Sequence, residues 1–450
     1  MLKYIIWLRY LSKKKIVLLS IAAVACSCAL LIVVSSLFTG FINAFEASAS
    51  NTIGDVVING SDELKIEKYD RLLENLKDIK SVEAATAVIT TQGLLRLASG
   101  NVRAVEIWGI DIQSRAEVVE LKKSLLRQKD SSNPLTFNPS GNEDDLGGFI
   151  GVAVTDDPDP ITDEYDFEAV LKENIDKKVA LTTGVLIEDD ARQGKNRFKR
   201  RNIAFTITDI FFTGTYEIDK NFVFLPIDKL QKKLYPDIDQ PIADQVQIKL
   251  KAESDIDLAM AQIAGLWKSF AKNELGWTDY RSSLISIKTS RQMQEPLVAE
   301  FRKQMQILLF IFSVVSFSVV VLIFCIFYMI VETKRKDIGI IRSCGASTSA
   351  IMGIFLGFGG CVGFIGAGFG VLFGYIITKN VNIVEQLVSS ALGLKLWKSS
   401  VYMFTKIPNE MDWNCVMPIV ISATLAACLG VLLPAIIAAK VRPVKILRYE

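Results

Sequence analysis

The side chains on which most enzyme mechanisms depend are missing from this sequence or wrongly spaced in it. The 450 residues include no histidine, which excludes serine and cysteine hydrolase triads, HExxH zinc sites and any imidazole acid or base step. No P-loop is present either, because the nearest run, Gly184 to Lys195, has Asp189 where the first glycine would stand. We therefore expect no catalytic residue and no ATPase of the chain's own.

Ligand chemistry has two further candidates, the cysteines and an acidic stretch. The seven cysteines lie in or beside apolar segments, and none falls between 46 and 303, so that region has no disulfide framework. The acidic stretch lacks the spacing and central glycine of an EF-hand, and we interpret it as a solvated loop. We predict no metal site. The acidic residues are Asp156, Asp157, Asp159, Asp163, Glu164 and Asp166.

Four apolar segments are long enough to cross a bilayer: 16–39, 306–331, 350–378 and 416–439. The mean hydropathy of +0.32 agrees with a protein that lies partly in a membrane. The first segment is longer than a signal-peptide core, so we expect it to remain as an anchor. Basic residues flank the cytoplasmic ends under the positive-inside rule, which places both termini in the cytoplasm. They are Lys3, Arg9, Lys13, Lys14 and Lys15, then Lys334, Arg335, Lys336 and Arg342, then Lys440, Arg442, Lys445 and Arg448.

Three regions follow from these spans. Residues 1–45 hold the N-terminal segment and helix 1, residues 46–290 form an extracytoplasmic domain, and residues 291–450 hold helices 2–4. The patterning of 46–290 predicts a mixed α+β domain, with strands near 56–58, 82–91, 203–212 and 221–226 and helices near 72–79 and 256–270. A polar stretch at 129–165 predicts an insertion that divides two subdomains. The fold class is an α-helical membrane protein with four transmembrane helices and an α+β domain inserted between helices 1 and 2.

Helical stripes continue beyond two of the spans. Phe38, Phe41, Ile42 and Phe45 extend helix 1, and Met293, Leu297, Phe301, Met305 and Leu308 precede the second span. The stripes predict paired stalk helices. In the third span, glycines at GxxxG spacing predict close helix packing, which we expect within one subunit.

The connection between the second and third spans reads VETKRKDIGIIRSCGASTSAIMGIF, residues 331–355. It combines charged residues with an apolar strip of Ile338, Ile340 and Ile341, followed by a break at Gly345. An amphipathic helix here would let a soluble partner transmit motion to two spans. The alternative is a plain positively charged loop. The residues concerned are Glu332, Lys334, Arg335, Asp337, Ile338, Ile340, Arg342, Gly345 and Ala346.

This connection resembles the T-R/K-x-I-G-I-L-R-x-x-G-A pattern of FtsX/MacB-type permeases. The whole chain resembles, more narrowly, the permeases of the lipoprotein-releasing (Lol) ABC complex. The resemblance is carried by LRYLSKKK at 8–15, FTGF at 38–41, FTGTYEIDKNFVFLPIDKLQKKL at 212–234, YMFTKIPNEMDW at 402–413, LLPAIIAAKVRP at 432–443 and ILRYE at 446–450. The region 129–202 departs from the family pattern where a carrier contact would be expected, so that role is not assigned to residues.

The resemblance implies a MacB-like core in the periplasmic domain and an inner-membrane location. It also implies the partners: a separate ABC ATPase, which would bind the ATP and Mg, a second permease of the same or homologous sequence, a lipoprotein substrate and a periplasmic carrier. Nucleic acid is not implied, and the net charge of +2 favours none.

The same resemblance implies an apolar cavity for the acyl chains, which we place along helix 1 and the second span. The candidate lining is Leu30, Val33, Val34, Leu37, Phe38, Phe41, Leu309, Phe312 and Val315.

Two other functions fit the sequence. One is a MacB/FtsX-type permease for peptide or drug efflux, or for mechanotransmission to a periplasmic partner. The other is a tethered sensor or adhesion protein without an ATPase, against which the 331–355 connection argues.

Overall fold

A computed structural model describes residues 15–60, 64–97, 100–139, 145–160, 162–187 and 197–440. The predicted basic residues before Lys15 and after Lys440, and the C-terminal ILRYE segment, lie outside the described residues. The chain divides into two compact units, a helical unit (residues 15–44, 297–387 and 407–440) and a sheet unit (residues 45–296 and 388–406).

The helices and strands have the following bounds. The helices are α1 (Lys15–Ile53), α2 (Tyr69–Lys77), α3 (Ile112–Val118), α4 (Leu121–Ser124), α5 (Val152–Thr155), α6 (Phe167–Asn174), α7 (Tyr216–Asn221), α8 (Ile227–Leu234), α9 (Ile256–Asn273), α10 (Asp279–Ser283), α11 (Ser290–Thr333), α12 (Arg335–Ser343), α13 (Thr348–Lys379), α14 (Val381–Leu392), α15 (Ser399–Tyr402) and α16 (Trp413–Ala439). The strands are β1 (Val56–Asn59), β2 (Ile66–Glu67), β3 (Val82–Arg96), β4 (Val102–Ile110), β5 (Gly147–Gly151), β6 (Lys178–Ile187), β7 (Arg197–Phe211), β8 (Phe222–Pro226), β9 (Ile242–Ala243), β10 (Gln245–Leu250) and β11 (Ser286–Thr289).

Four helices of the described chain are long and apolar enough to span a membrane, which confirms the number predicted. They are α1, α11, α13 and α16. Two of them are longer than the predicted spans, because α1 continues to Ile53 and α11 begins at Ser290. The phenylalanine and methionine stripes that precede and follow the apolar segments are thus parts of the same continuous helices.

Glycines of α13 allow two neighbouring helices to approach it closely. A Cβ built on Gly363 would lie 2.7 Å from the Cβ of Ala427 on α16, and one built on Gly370 would lie 2.5 Å from the Cβ of Cys28 on α1. Because apolar burial does not drive helices together in lipid, such close backbone approach supplies the packing energy. The glycines therefore serve packing within one subunit, as predicted.

One half of the sheet unit is a ferredoxin-like βαββαβ arrangement. Its strands stand in the order β11-β1-β10-β3, and every neighbouring pair is antiparallel. Helix α2 connects β1 to β3, and α9 connects β10 to β11, so each forms a split βαβ unit around the strand between. The predicted helix–strand succession at 56–91 is confirmed, with Leu72 and Leu76 buried on α2.

The other half is a closed ring of six strands. The pairing runs from β3 through β4, β8, β5 and β7 to β6, and the last four residues of β3 pair with β6. Strand β3 thus belongs to both halves, because its first part pairs with β10 and its second part with β4 and β6. A ring leaves no open strand edge to be protected.

The predicted division of the domain at 129–165 is wrong. Strand β5 lies inside that stretch, is entirely buried, and pairs with β7 and β8. Strands from both sides of the stretch close the same ring. The polar composition reflects the loops that surround a short glycine-rich strand, and five residues were too few to stand out as a strand.

Candidate functional site

The connection between the second and third spans contains a short helix, α12, held by local ion pairs. Lys334 Nζ lies 2.6 Å from Asp337 Oδ2, and Arg335 Nη1 lies 2.8 Å from Glu332 Oε1. After α12 the chain turns at Gly345, whose φ of +94° disfavours other residues. Ser347 then caps α13 by accepting a hydrogen bond from the amide of Ala350 at 3.1 Å.

The predicted single apolar strip on this helix is divided in the structure. Ile338 is buried with Val331, Ile351 and Ala438, whereas Ile340 is 54% exposed and Ile341 is 42% exposed. Two residues turn a helix by about 200°, so Ile340 cannot share the face of Ile338, whereas Ile341, three residues from Ile338, lies beside that face but is only partly covered. Ile338 fixes α12 to the spans, and Ile340 and Ile341 leave apolar surface exposed among charged side chains.

Helices α1 and α11 run antiparallel in the helical unit. Ser27 Oγ lies 2.6 Å from Ser316 Oγ, and the rings of Phe41 and Phe301 meet edge to face with centroids 4.9 Å apart. The two contacts are separated by nearly the same number of residues on each helix, so the helices stay aligned with each other over about 21 Å.

The candidate cavity residues lie on the less packed part of these two helices. None of the nine is buried; Leu30 is 39% exposed, Val315 is 52% exposed, and Leu309 and Phe312 are partly covered. Between Val298 and Ile323, α11 has no buried residue at all. The packed core of the helical unit instead uses Val17 to Cys28 of α1 and Ile323 to Ile330 of α11. The open apolar surface therefore lies mainly on α11, because α1 beyond Cys28 still buries Ile32, Ser35 and Ile42.

The chain between α14 and α16 is held on the sheet unit at several points. The backbone amide of Ser399 donates to Asp163 Oδ2 at 2.6 Å, and Lys395 Nζ donates to the carbonyl of Thr162 at 3.0 Å. Tyr216 donates its amide to the carbonyl of Met403 at 2.8 Å. Trp397 stacks on Tyr402 with ring centroids 4.1 Å apart. We call residues 395–404 the docked segment.

The residues that follow the docked segment hold the helical unit together. Ile407 donates its amide to Asn382 Oδ1 at 2.9 Å, and Thr39 Oγ1 donates to Asp412 Oδ2 at 3.2 Å. The Cβ of Pro408 would lie 3.4 Å from a Cβ built on Gly40. The YMFTKIPNEMDW motif is thus structural along its length.

The acidic stretch is occupied by protein partners. Besides its bond to Ser399, Asp163 adopts a φ of 56°, a left-handed turn that aspartate tolerates. Asp157 pairs with Arg103 at 3.0 Å, and Asp156 accepts from Asn174 at 2.9 Å. Among the described residues, no group of three or more His, Cys, Asp or Glu side chains could hold a metal ion. The stretch is therefore not wholly solvated, because Asp163 binds the docked segment.

Asp219 stabilises the turn at residues 213–215, and this turn forms a β-bridge with the docked segment. Its carboxylate is buried and accepts hydrogen bonds from the amides of Thr213 at 2.7 Å and Gly214 at 3.0 Å. Burial raises the pKa of Asp219 to about 7, although these hydrogen bonds favour the charged form. In the same turn, the hydroxyl oxygen of Thr215 lies 2.8 Å from that of Ser48 on α1. The backbone of Thr215 forms an antiparallel β-bridge with Phe404.

Arg115 holds the outer end of α1 against the sheet. It is 1% exposed, donates to the carbonyl of Thr52 on α1 and to Gln247 of β10, and stacks over Trp108. Burial lowers the pKa of Arg115 to about 9. A guanidinium at the last carbonyls of a helix also interacts favourably with the helix dipole.

Asp55, next along the chain, joins this end of α1 to the start of α11. Its carboxylate accepts from Ser50 at 2.6 Å and from the amide of Leu250 at 2.9 Å, and its carbonyl accepts from the amide of Ser290 at 2.9 Å. Arg115, Asp55 and Asp219 were not predicted from the sequence, since a single charged residue carries no sign of its burial there.

This chain is similar in sequence to transmembrane proteins of lipoprotein-releasing systems. LolC of Neisseria meningitidis serogroup B, a lipoprotein-releasing system transmembrane protein, is 27% identical over 99% of this chain and 98% of its own length. LolC of Xylella fastidiosa strain 9a5c is 28% identical over 55% of each chain. LolE of Haemophilus influenzae is 32% identical over 26% of this chain and 29% of its own.

Among solved structures, the periplasmic region of MacB from Actinobacillus actinomycetemcomitans matches 54% of this chain and 91% of its own, with 11% identity and a TM-score of 0.32. The family model of the FtsX-like permease C-terminal domain matches residues 309–445. That range contains most of α11 and all of α12, α13 and α16. Residues 309–445 thus match the FtsX-like permease C-terminal model, and the chain as a whole is similar over 99% of its length to a lipoprotein-releasing system transmembrane protein.

Proposed function

We propose that this chain is the membrane permease of an ABC machine that extracts lipoproteins from the outer leaflet of the inner membrane. A separate ATPase drives it, and a periplasmic carrier receives the product. The single observation that carries the proposal is the open apolar surface of α11 between Val298 and Ile323, beside partly covered apolar residues of α1, which the packed part of the helical unit does not use.

The energetic demand of extraction explains why such a surface is needed. Burial of each acyl CH₂ is worth about 0.8 kcal/mol, so a sixteen-carbon chain resists exposure to water by roughly 13 kcal/mol. A lipoprotein therefore leaves the bilayer only if an apolar surface replaces lipid at each stage. Val34, Phe38 and Phe312 are only partly covered within this chain, so part of each side chain is left to contact an acyl chain.

The ATPase would bind α12. Ile340 and Ile341 stand exposed among Glu332, Arg335 and Arg342, a surface typical of an anchor surrounded by polar residues. Buried Ile338 connects α12 to α11, α13 and α16. In this arrangement the N- and C-termini and α12 are cytoplasmic, and the sheet unit is periplasmic.

A second permease, identical or homologous, would complete the cavity, because one chain leaves half of α11 uncovered. The names of the LolC and LolE relatives favour this function over peptide or drug efflux. We do not assign the carrier contact to residues.

The experiment uses the complex reconstituted in vesicles. It measures how much triacylated lipoprotein is released from the vesicles to a carrier. We expect Val34→Asn and Phe38→Asn to lower release several-fold while ATP hydrolysis continues. Leu429→Asn, at an exposed apolar position of α16, is the matched control and should release normally. Full release by both cavity variants in a folded complex would rule out this placement of the acyl chains. If acylated proteins are not released at all but soluble peptides are, the efflux function is correct instead.

A further inference from the structure

Helix α14, which follows the third span, packs its polar side against the rest of the chain and exposes its apolar side. A surface helix of a soluble protein does the opposite. The polar side of α14 is held by the chain: Asn382 Nδ2 donates to the carbonyl of Ile407 at 3.0 Å, and the amide of Leu396 donates to Ser389 Oγ at 3.2 Å. Asn382 and Ser389 lie seven residues apart, two helical turns, and so share one face.

The opposite side of α14 is apolar and open. Its exposed residues are between 39% and 67% accessible; they are Ile383, Val384, Leu387, Val388 and Leu392. In water, an apolar face of this size marks a binding surface. Val381, at the start of the same stripe, is buried, but beyond this first turn the polar groups of the helix are bound and its apolar residues are left open.

The position of α14 identifies what covers the face. Only Asn380 separates it from α13, whose apolar run ends at Lys379, so α14 begins where a membrane span ends. Near the same end, the rings of Tyr375 and Trp413 lie 6.5 Å apart, and Lys379 Nζ lies 5.7 Å from the Tyr375 ring centroid. Aromatic and basic side chains of this kind are typical of the level of lipid headgroups.

We propose that α14 lies in the membrane interface, with its apolar face inserted at the boundary between headgroups and acyl chains. The partner is the lipid of the leaflet on the side that carries the sheet unit, since α14 and the sheet unit are each reached after an odd number of spans. An interfacial helix binds in this way through one apolar face that is buried only a few ångströms deep. The inference depends on the spans and not on the substrate proposed above.

The test is site-specific photo-crosslinking in the full-length protein. A diazirine amino acid replaces Leu387 or Ile383 on the apolar face, and Ser389 on the polar face serves as the control. The protein is reconstituted in vesicles of phosphatidylethanolamine and phosphatidylglycerol, irradiated and analysed by mass spectrometry.

We expect phospholipid adducts at 387 and 383, in several-fold higher yield than at 389. Adducts to another protein chain would show that a subunit covers the face instead, and would overturn the proposal. Addition of water at 387, at the yield seen for 389, would overturn it as well. Because no lipoprotein is present, the result does not depend on whether the chain extracts one.

Discussion

The backbone amide of Ser399 donates a hydrogen bond of 2.6 Å to Asp163 Oδ2, joining residues 236 positions apart in the sequence. This bond ties the connection between the third and fourth spans to the loop before α6. The docked segment therefore belongs to the sheet unit, although in the sequence it lies between the third and fourth spans.

We predict that Asp163→Ala releases the docked segment. A hydrogen bond to a charged group is worth about 1.5–3 kcal/mol, so local opening should become roughly tenfold or more easier. Hydrogen–deuterium exchange of residues 395–404 measures this. Asp157→Ala, in the same acidic stretch but bound to Arg103 at an exposed site, should leave that exchange unchanged. Unchanged exchange in Asp163→Ala would mean that the remaining contacts suffice.

Arg115→Met should destabilise the sheet unit. The substitution leaves the carbonyl of Thr52 and the amide oxygen of Gln247 without their donor, which costs roughly 2–4 kcal/mol when the groups stay buried. Chemical denaturation followed by tryptophan fluorescence measures the loss. Arg71→Met, which breaks an exposed pair with Glu274, should cost less than about 1 kcal/mol. Equal effects of the two variants would contradict the role given to Arg115.

Stability should depend on pH through Asp219. The pKa of its carboxyl is about 7 in the folded chain and near its ordinary value of 3.8 when unfolded, so the folded state binds the extra proton between these values. The free energy of unfolding should therefore fall as pH rises from about 4 to about 7. Thermal unfolding across this range measures the slope. Asp219→Asn should flatten it, whereas Asp157→Asn should not; a slope that persists in Asp219→Asn would assign it to another group.

Gly370→Ala should disturb the packing of α13 on α1, because the added methyl would lie 2.5 Å from the Cβ of Cys28. Gly368→Ala is the matched control, since no atom lies within 4 Å of a Cβ at that position. We expect the thermal midpoint of the detergent-solubilised protein to fall for Gly370→Ala and to stay or rise slightly for Gly368→Ala. Identical midpoints would show that the helices separate without cost.

Ile340→Asp should prevent the ATPase from binding while the permease remains folded. The side chain is 54% exposed and belongs to no buried cluster of the described residues, so the thermal midpoint should change little. Co-purification of the ATPase measures binding. Ile338→Asp is the contrasting variant, since a charge at this buried position should lower the midpoint. Retention of the ATPase by Ile340→Asp would place the coupling surface elsewhere.

Periodicity allowed much of the fold to be predicted. The spans, the strand at Val82, the helix at Ile256 and the continuation of α1 through Phe45 all show the apolar repeats of their elements. The ring of strands could not be predicted in this way, because its closure depends on pairings such as Leu95 with Leu181 that link distant segments.

The candidate site was less accessible to sequence reasoning. The coupling and cavity residues lie on exposed or partly covered surfaces, yet their roles stay predictions. Helical spacing puts Ile338 and Ile340 on different faces but does not tell which of them is buried, because the side on which a short helix packs depends on its tertiary neighbours. Nor could patterning show that Asp163 binds Ser399, since a polar loop has the same composition whether it faces water or protein.

Strand β3 is 15 residues long, about 50 Å from end to end, and it has no break where the ferredoxin-like half passes into the ring. An element hydrogen-bonded along its length resists bending there. The strand therefore joins the ferredoxin-like half and the ring as one continuous element, and bending it at their boundary would break ladder hydrogen bonds of both halves.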